Sequence, residues 1–241
     1  MTTAVPPCSS FRYWRPTGIG LIEVGLVRGR DVALPAHFHE EDQITFVLEG
    51  RRRLRIGEES TVLEPGHGVV IPAGTPHHSL FEPEEVVCIN LYAAPGSFVG
   101  GDLVSDLGRS WRKKRDLRWA DLANIVEGQQ GPVGALRSTV SSPLAPGGAW
   151  PSVREAAAHV GMSREGFSRK FRKLHGVPPH AFWHLARLND ARRLLRAGLP
   201  IAAVAADAGF SDQSHLGRCF RRAFGVTPGR FLAERPGSHL F

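Results

Sequence analysis

Two passages in the last third of the chain repeat each other: "VGMSREGFSRKFRKLHGVPP" from Val160 and "AGFSDQSHLGRCFRRAFGVTP" from Ala208. Gly161 maps onto Gly209 with a shift of 48 residues, whereas Phe171 onto Phe220 and Gly176 onto Gly225 need a shift of 49, so one residue is inserted inside the second copy. A duplication of this kind means one supersecondary unit used twice. Each copy reads as an Ala-rich helix (156–159 and 202–208), a glycine where that helix ends, Ser163 or Ser211 as the next N-cap, and then a second, basic helix, which is the recipe for a helix-turn-helix. In the first copy Phe167, Phe171 and Leu174 share a face and are expected in the core, which leaves Glu165, Ser168, Arg169 and Arg172 outward. In the second, Leu216, Phe220 and Ala223 bury, with Ser214, Gly217, Arg218 and Arg221 outward and Gln213 near the helix start. Between the copies runs "HAFWHLARLNDARRLLRAG", with an apolar face of Ala181, Leu185, Leu188, Ala191 and Leu195 and a C-cap at Gly198. A helix of about 18 residues spans roughly 27 Å. It can hold two such units about 34 Å apart, the spacing of successive major-groove turns on one face of B-DNA.

Charge follows the same division. From Trp150 onward fifteen Lys/Arg stand against six Asp/Glu, a net of +9, while residues 1–149 carry fifteen against seventeen, a net of −2. A basic excess confined to the duplicated segment points to a polyanionic partner there. Arginines on a helix in the major groove can make bidentate bonds to guanine, and other cations neutralise phosphates. Arg169, Arg172, Arg218 and Arg221 belong to the expected groove face. Arg187, Arg192, Arg193 and Arg196 are assigned to the DNA backbone or to helix packing. Residues 150–233 closely resemble the AraC-type DNA-binding domain, most of all in "GFSDQSHLGRCFRRAFGVTP". That resemblance implies two helix-turn-helix units joined by a long helix, a double-stranded promoter as partner, and a homodimer as the working form, with RNA polymerase as a further partner.

From about Gly18 to Ala94 the pattern changes to short apolar runs, "GLIEVGLV", "QITFVLEG", "RRLRIG", "GVVIPAG" and "EVVCINLY", each broken by Gly or Pro. Closely spaced strands of this kind predict a small β-barrel or sandwich. Within it, "HFHEEDQITFVLEG" and "GHGVVIPAGTPHHSLF" resemble the two motifs of cupin barrels, with Gln43 where the family usually has Glu and Phe81 where it has Asn. Strand alternation puts His37 and His39 on one side, where they converge with His77. Two uses of His37, His39, Gln43 and His77 stay open. They line a polar cavity for a small-molecule effector, or they hold a divalent metal, for which neutral Gln43 is a weaker ligand than Glu. His78 should point away and His67 sits in a turn. After the barrel, Leu107, Trp111, Trp119, Leu122 and Val126 fall on one helical face, for packing on the barrel or for dimerisation.

The expected architecture is therefore a two-domain α+β chain: a cupin-like barrel over 1–95, a helical segment and a Pro/Gly-rich linker over 96–149 (the linker proper, 138–151), and an all-α domain with two helix-turn-helix units over 150–241. Cys8, Cys88 and Cys219 form no CxxC pair, and no apolar run reaches membrane-spanning length, which together predict a cytoplasmic protein with neither disulfides nor a thiolate metal site. The expected function is effector-controlled promoter binding without enzymatic activity. The competing readings are a metal-sensing regulator and a metal-dependent cupin enzyme with a basic appendage.

Overall fold

The structure, a computed structural model, describes residues 10–129 and 151–233. Cys8 and all of the expected linker except Pro151 lie outside the described residues. Nine strands come first: β1 (Ser10–Trp14), β2 (Leu21–Gly29), β3 (Leu34–His37), β4 (Asp42–Glu49), β5 (Arg52–Ile56), β6 (Glu59–Leu63), β7 (Gly68–Ile71), β8 (His77–Ser79) and β9 (Val86–Ala93). They form two antiparallel sheets, ordered β1-β2-β9-β4-β7 and β3-β8-β5-β6. The expectation of a closed barrel is corrected here, because no ladder joins the two sheets among the described residues. They enclose a common core, with Val27, Val47 and Cys88 from the first sheet meeting Leu54 and Leu63 from the second.

The apolar run of β4 buries both of its faces. Gln43, Thr45 and Val47 point between the sheets, while Ile44, Phe46 and Leu48 point outward into a second core. That outer core is closed by α1 (Gly100–Lys114) and α2 (Trp119–Gly128) through Leu103, Leu107, Trp111, Leu122 and Val126. The apolar face expected in this segment is thus packed on the sheet and is not available to a second copy. Arg115, at φ 54°, ends α1 and separates the two helices.

Six helices follow: α3 (Val153–His159), α4 (Arg164–His175), α5 (Pro179–Arg196), α6 (Ile201–Asp207), α7 (Gln213–Phe224) and α8 (Pro228–Ala233). Ser152 and Glu155 cap α3 reciprocally, and Ser163 Oγ accepts from Gly166 N at 3.1 Å to cap α4. The expected cap Ser211 is corrected to Asp212, whose carboxylate accepts from His215 N at 2.7 Å. Ser163 therefore corresponds to Asp212, and the inserted residue lies in the turn before α7.

Leu174 is also corrected. It is 70% exposed, and α4 buries no residue fully. Its half-buried stripe runs Phe167, Phe171, His175, an i, i+4, i+8 line that meets Phe182 of α5 from one side, so Leu174 falls off its edge. The same line in the second copy is Leu216, Phe220, Phe224, fully buried. At the C-cap of α7, Gly225 has φ 78°, and a side chain there would collide with Phe11 of β1, so the helical half sits directly against the first sheet.

Candidate functional site

The antiparallel pairing of β3 with β8 sets His37 opposite His77. His39 follows two residues after His37, and its ring lies 4.9 Å from that of His37 and 5.3 Å from that of His77. The three side chains are buried, and one ring nitrogen from each lies within 4.8 Å of the others. Gln43 lines the same small cavity, together with Thr45, Arg52, Asn90, Tyr92 and, from the helical half, Phe224. All four residues singled out from the sequence therefore converge. His78, on the other face of β8, is half-buried, and His67 is exposed in its turn.

The cavity measures only about 20 Å³, the room of a single water. His37 Nδ1 donates to Pro35 O at 2.7 Å and His77 Nδ1 to Thr75 O at 2.9 Å, since a carbonyl can only accept. Both rings are thereby the Nδ1–H tautomer with Nε2 left as a lone pair, the arrangement that orients metal-binding histidines. Gln43 Nε2 donates to Thr45 Oγ1 at 2.9 Å, and its Oε1 is buried without a partner. A tetrahedral ion with Zn–N bonds near 2.1 Å would hold its nitrogens about 3.4 Å apart, so the trio, spread over as much as 4.8 Å, fits an ion after closing by up to about 1.4 Å. A Gln43→Glu variant should bind cobalt(II) more tightly than wild type in a titration followed by visible absorption, and in chelator it should melt earlier, because the new carboxylate faces Asn90 Oδ1, 3.4 Å from the replaced nitrogen. Unchanged cobalt affinity would show that Gln43 does not reach the ion.

Burial depresses the basicity of all three imidazoles. For His37 the nearby His77 adds to it, and for His39 the Arg192 guanidinium does. His77 is lowered by burial to about 4, against a partial offset from its bond to Thr75 O. Below pH 6.5 the unfolded chain takes up protons that folded His77 refuses until about pH 4, so the stabilisation is complete above pH 6.5 and lost as pH falls through that window. In chelator, urea denaturation should show stability dropping by on the order of 3 kcal/mol between pH 7 and pH 4 from this group. A flat profile would place the ring in water.

The second cluster lies on α4 and α7. Glu165, Arg169 and Arg172 are exposed and Ser168 is half-buried, while on α7 Gln213, Ser214, Arg218 and Arg221 are exposed and Gly217 is half-buried. The expected outward faces are thus outward. Arg169 and Arg172, however, together with Lys173, form one wall of a cleft of about 620 Å³ whose other wall is the barrel rim at Arg55, Glu58 and His78.

Residues 156–234 match a family model described as a helix-turn-helix domain. The chain is 36% identical over 87 residues to the RCS-specific HTH-type transcriptional activator RclR of Escherichia coli, covering 36% of this chain and 30% of that one. It is 39% identical over 84 residues to the transcriptional activator NphR of a Rhodococcus species, covering 34% of this chain and 25% of that one. The last third is an AraC-type helix-turn-helix domain. Residues 26–90 match a cupin domain, so the AraC-type domain follows a cupin domain in one chain. The aligned part spans less than a third of the length of these two relatives. Beyond the AraC-type domain, the crystal structure of ToxT from Vibrio cholerae shares the fold at TM-score 0.51 and 14% identity over 90% of this chain and 98% of its own.

Of the arginines assigned to the DNA backbone or to helix packing, Arg192 and Arg196 pack, and together with Glu23, Glu41, Tyr13 and Asn189 they tie the AraC-type domain to the cupin cavity. Arg192 of α5 is fully buried; it pairs with the equally buried Glu23 of β2 and donates to His39 Nδ1 at 2.9 Å. Its guanidinium carbon lies 4.4 Å from the Tyr92 ring centre and 4.9 Å from that of Phe224. Arg196 bonds Glu41 at 2.5 Å and lies 3.2 Å from Glu23. Tyr13 Oη donates to Phe224 O at 2.9 Å, and Asn189 Nδ2 donates to Phe38 O at 3.0 Å. The pattern that reveals Arg192 is its register: it lies four residues after Leu188 and three before Leu195, on the apolar stripe of α5.

Proposed function

We propose that this chain is a one-component transcription regulator, in which two helix-turn-helix units, α3–α4 and α6–α7, read a promoter under control of the cupin domain. The observation that carries the reading is the duplicated pair of helices, each presenting arginines outward and joined by the 18-residue α5. In this reading Glu165, Ser168, Arg169, Arg172, Gln213, Ser214, Gly217, Arg218 and Arg221 face DNA, with arginines on base edges and the remaining cations on phosphates. The chain divides at 1–95, 96–149 and 150–241, and works as a cytoplasmic homodimer alongside RNA polymerase.

His37, His39, Gln43 and His77 form the sensing site. Its volume of about 20 Å³ favours a divalent cation over an organic effector, which would first have to displace Phe224. Metal sensing is thus the form of regulation we favour; catalysis in the cupin domain has no comparable observation behind it. When bound, the ion would supply a fixed positive charge that draws the three imidazoles together. Because Arg169 and Arg172 face the barrel rim across a cleft, α4 engages a duplex only after the two halves part, and a ligand that favours the parted form shifts the population toward DNA.

The test is binding of the full chain to its own upstream region and to random duplex of equal length by fluorescence anisotropy, at several salt concentrations. Preference for the upstream region, with affinity falling steeply as salt rises, is expected. Equal affinity for both duplexes would end the proposal.

A further inference from the structure

We propose that Arg192, from the spacer helix α5, decides whether the histidine trio can take a divalent cation: while it holds His39 the site is locked, and cation binding must release it. This deepens the metal-sensing reading above and rests on it, but not on the role of the arginines that face DNA.

A guanidinium carries five N–H donors and no acceptor, so the 2.9 Å contact between Arg192 Nη1 and His39 Nδ1 requires a bare Nδ1. A doubly protonated ring would set one N–H against another, so His39 is neutral with its proton on Nε2. The other two rings are arranged the opposite way, because backbone carbonyls at Pro35 and Thr75 hold their protons on Nδ1. His37 and His77 therefore offer Nε2 lone pairs, whereas the Nε2 of His39 is a buried N–H with no partner, and its one lone pair is spent on Arg192. The trio has the spacing of a metal site and the wrong proton on one member.

Position compounds the mismatch. Arg192 is itself fully buried, and its positive charge would oppose a cation beside His39. To ligate, His39 must give up Arg192, and to do so through Nε2 it must also move its proton to Nδ1. Arg192 cannot simply swing away, since Glu23 and the faces of Tyr92 and Phe224 hold its guanidinium in place. Release moves α5, the helix that joins the two helix-turn-helix units, so filling the site and docking α5 on the barrel exclude each other. By linkage the exclusion is reciprocal.

The experiment uses the full chain, without DNA, and has three readouts. Long-range 15N–1H correlation of the histidine rings in chelator should show protonated Nδ1 for His37 and His77 and protonated Nε2 for His39; protonated Nδ1 at His39 would overturn the proposal. Cobalt(II) chloride titrated into wild type and into the Arg192→Met/Glu23→Gln variant, which removes both buried charges together, should bind the variant at least tenfold more tightly. Equal or weaker binding by a variant with native circular dichroism overturns it. Hydrogen exchange at residues 189–196 of wild type should quicken when cobalt(II) binds, and binding that leaves these amides unchanged overturns it as well. If the trio binds as proposed and the upstream-region assay fails, the DNA reading falls alone. If the assay succeeds and the ring protons or cobalt affinities are wrong, the lock falls alone.

Discussion

Replacing Arg192 by Met should lower the stability of the chain by about 3 kcal/mol, the low end of what is seen when one partner of a buried ion pair is removed. The cause is the charge left behind. Glu23 is fully buried on β2, and once Arg192 is gone Arg196, 3.2 Å away, is the cation left paired with it among the described residues. That second cation keeps the loss from reaching the upper end of about 5 kcal/mol. Pairing the change with Glu23→Gln should recover most of the loss, because the desolvation of both charges is then avoided and Met fills the space between Tyr13, Tyr92 and Phe224. Urea denaturation at pH 7 in chelator separates the outcomes. If the double variant is no more stable than Arg192→Met alone, the aromatic faces around the guanidinium, and not Glu23, are what the arginine stabilises. The local electrostatics favour the first outcome. Burial disfavours the guanidinium's charge, yet the Glu23 carboxylate more than reverses this and holds its pKa above the usual arginine value.

The second large effect concerns DNA. Arg218→Ala should weaken binding to the upstream region by about 5- to 150-fold, the equivalent of one good bidentate base contact at about 1–3 kcal/mol. Binding to random duplex should fall much less, since only one phosphate-range charge is lost there. Arg169→Ala should have a smaller effect on the resting chain, because Arg169 lines the cleft against the barrel rim, and the two effects should approach each other when the halves have parted. Anisotropy titrations on both duplexes decide it. An equal loss on random DNA would assign Arg218 to the backbone.

The duplicated segment was the most legible part of the sequence, because its apolar spacing, glycine C-caps and polar N-caps agree with one another at every position but two. Those two have local causes. The inserted residue falls in the turn, so the cap moves from Ser211 to Asp212, and the stripe of α4 follows an i+4 line through His175, which leaves Leu174 in water. The strands with continuous apolar runs were legible for the same reason, whereas β1, β3, β6 and β8 were not. β3 reads "LPAH" with a proline and a register shift, and β8 is three residues long, too short for any period to show. The histidine convergence followed from strand alternation and a resemblance to cupin motifs. Its connection to α5 did not, since Arg192 is one of four arginines on that helix that stood equally for the DNA backbone or for helix packing. Two signals were nevertheless present: Arg192 on the apolar stripe of its helix, and Glu23 as the single charge inside "GLIEVGLV".

Phe224 closes the cavity from the end of α7, at the position that His175 holds in the first copy. A ring delivered by the same polypeptide acts as an intramolecular competitor, present at a local concentration that dilution cannot change and that for short tethers is on the order of millimolar. Any organic molecule entering the barrel must therefore outbind a side chain that never leaves its vicinity. The threshold concentration at which such a sensor responds is then set as much by how firmly Phe224 and Gly225 seat against Phe11 and Tyr13 as by the ligand's own contacts. Substitutions at that seat, far from the three histidines, would retune the sensitivity of the response without altering what it responds to.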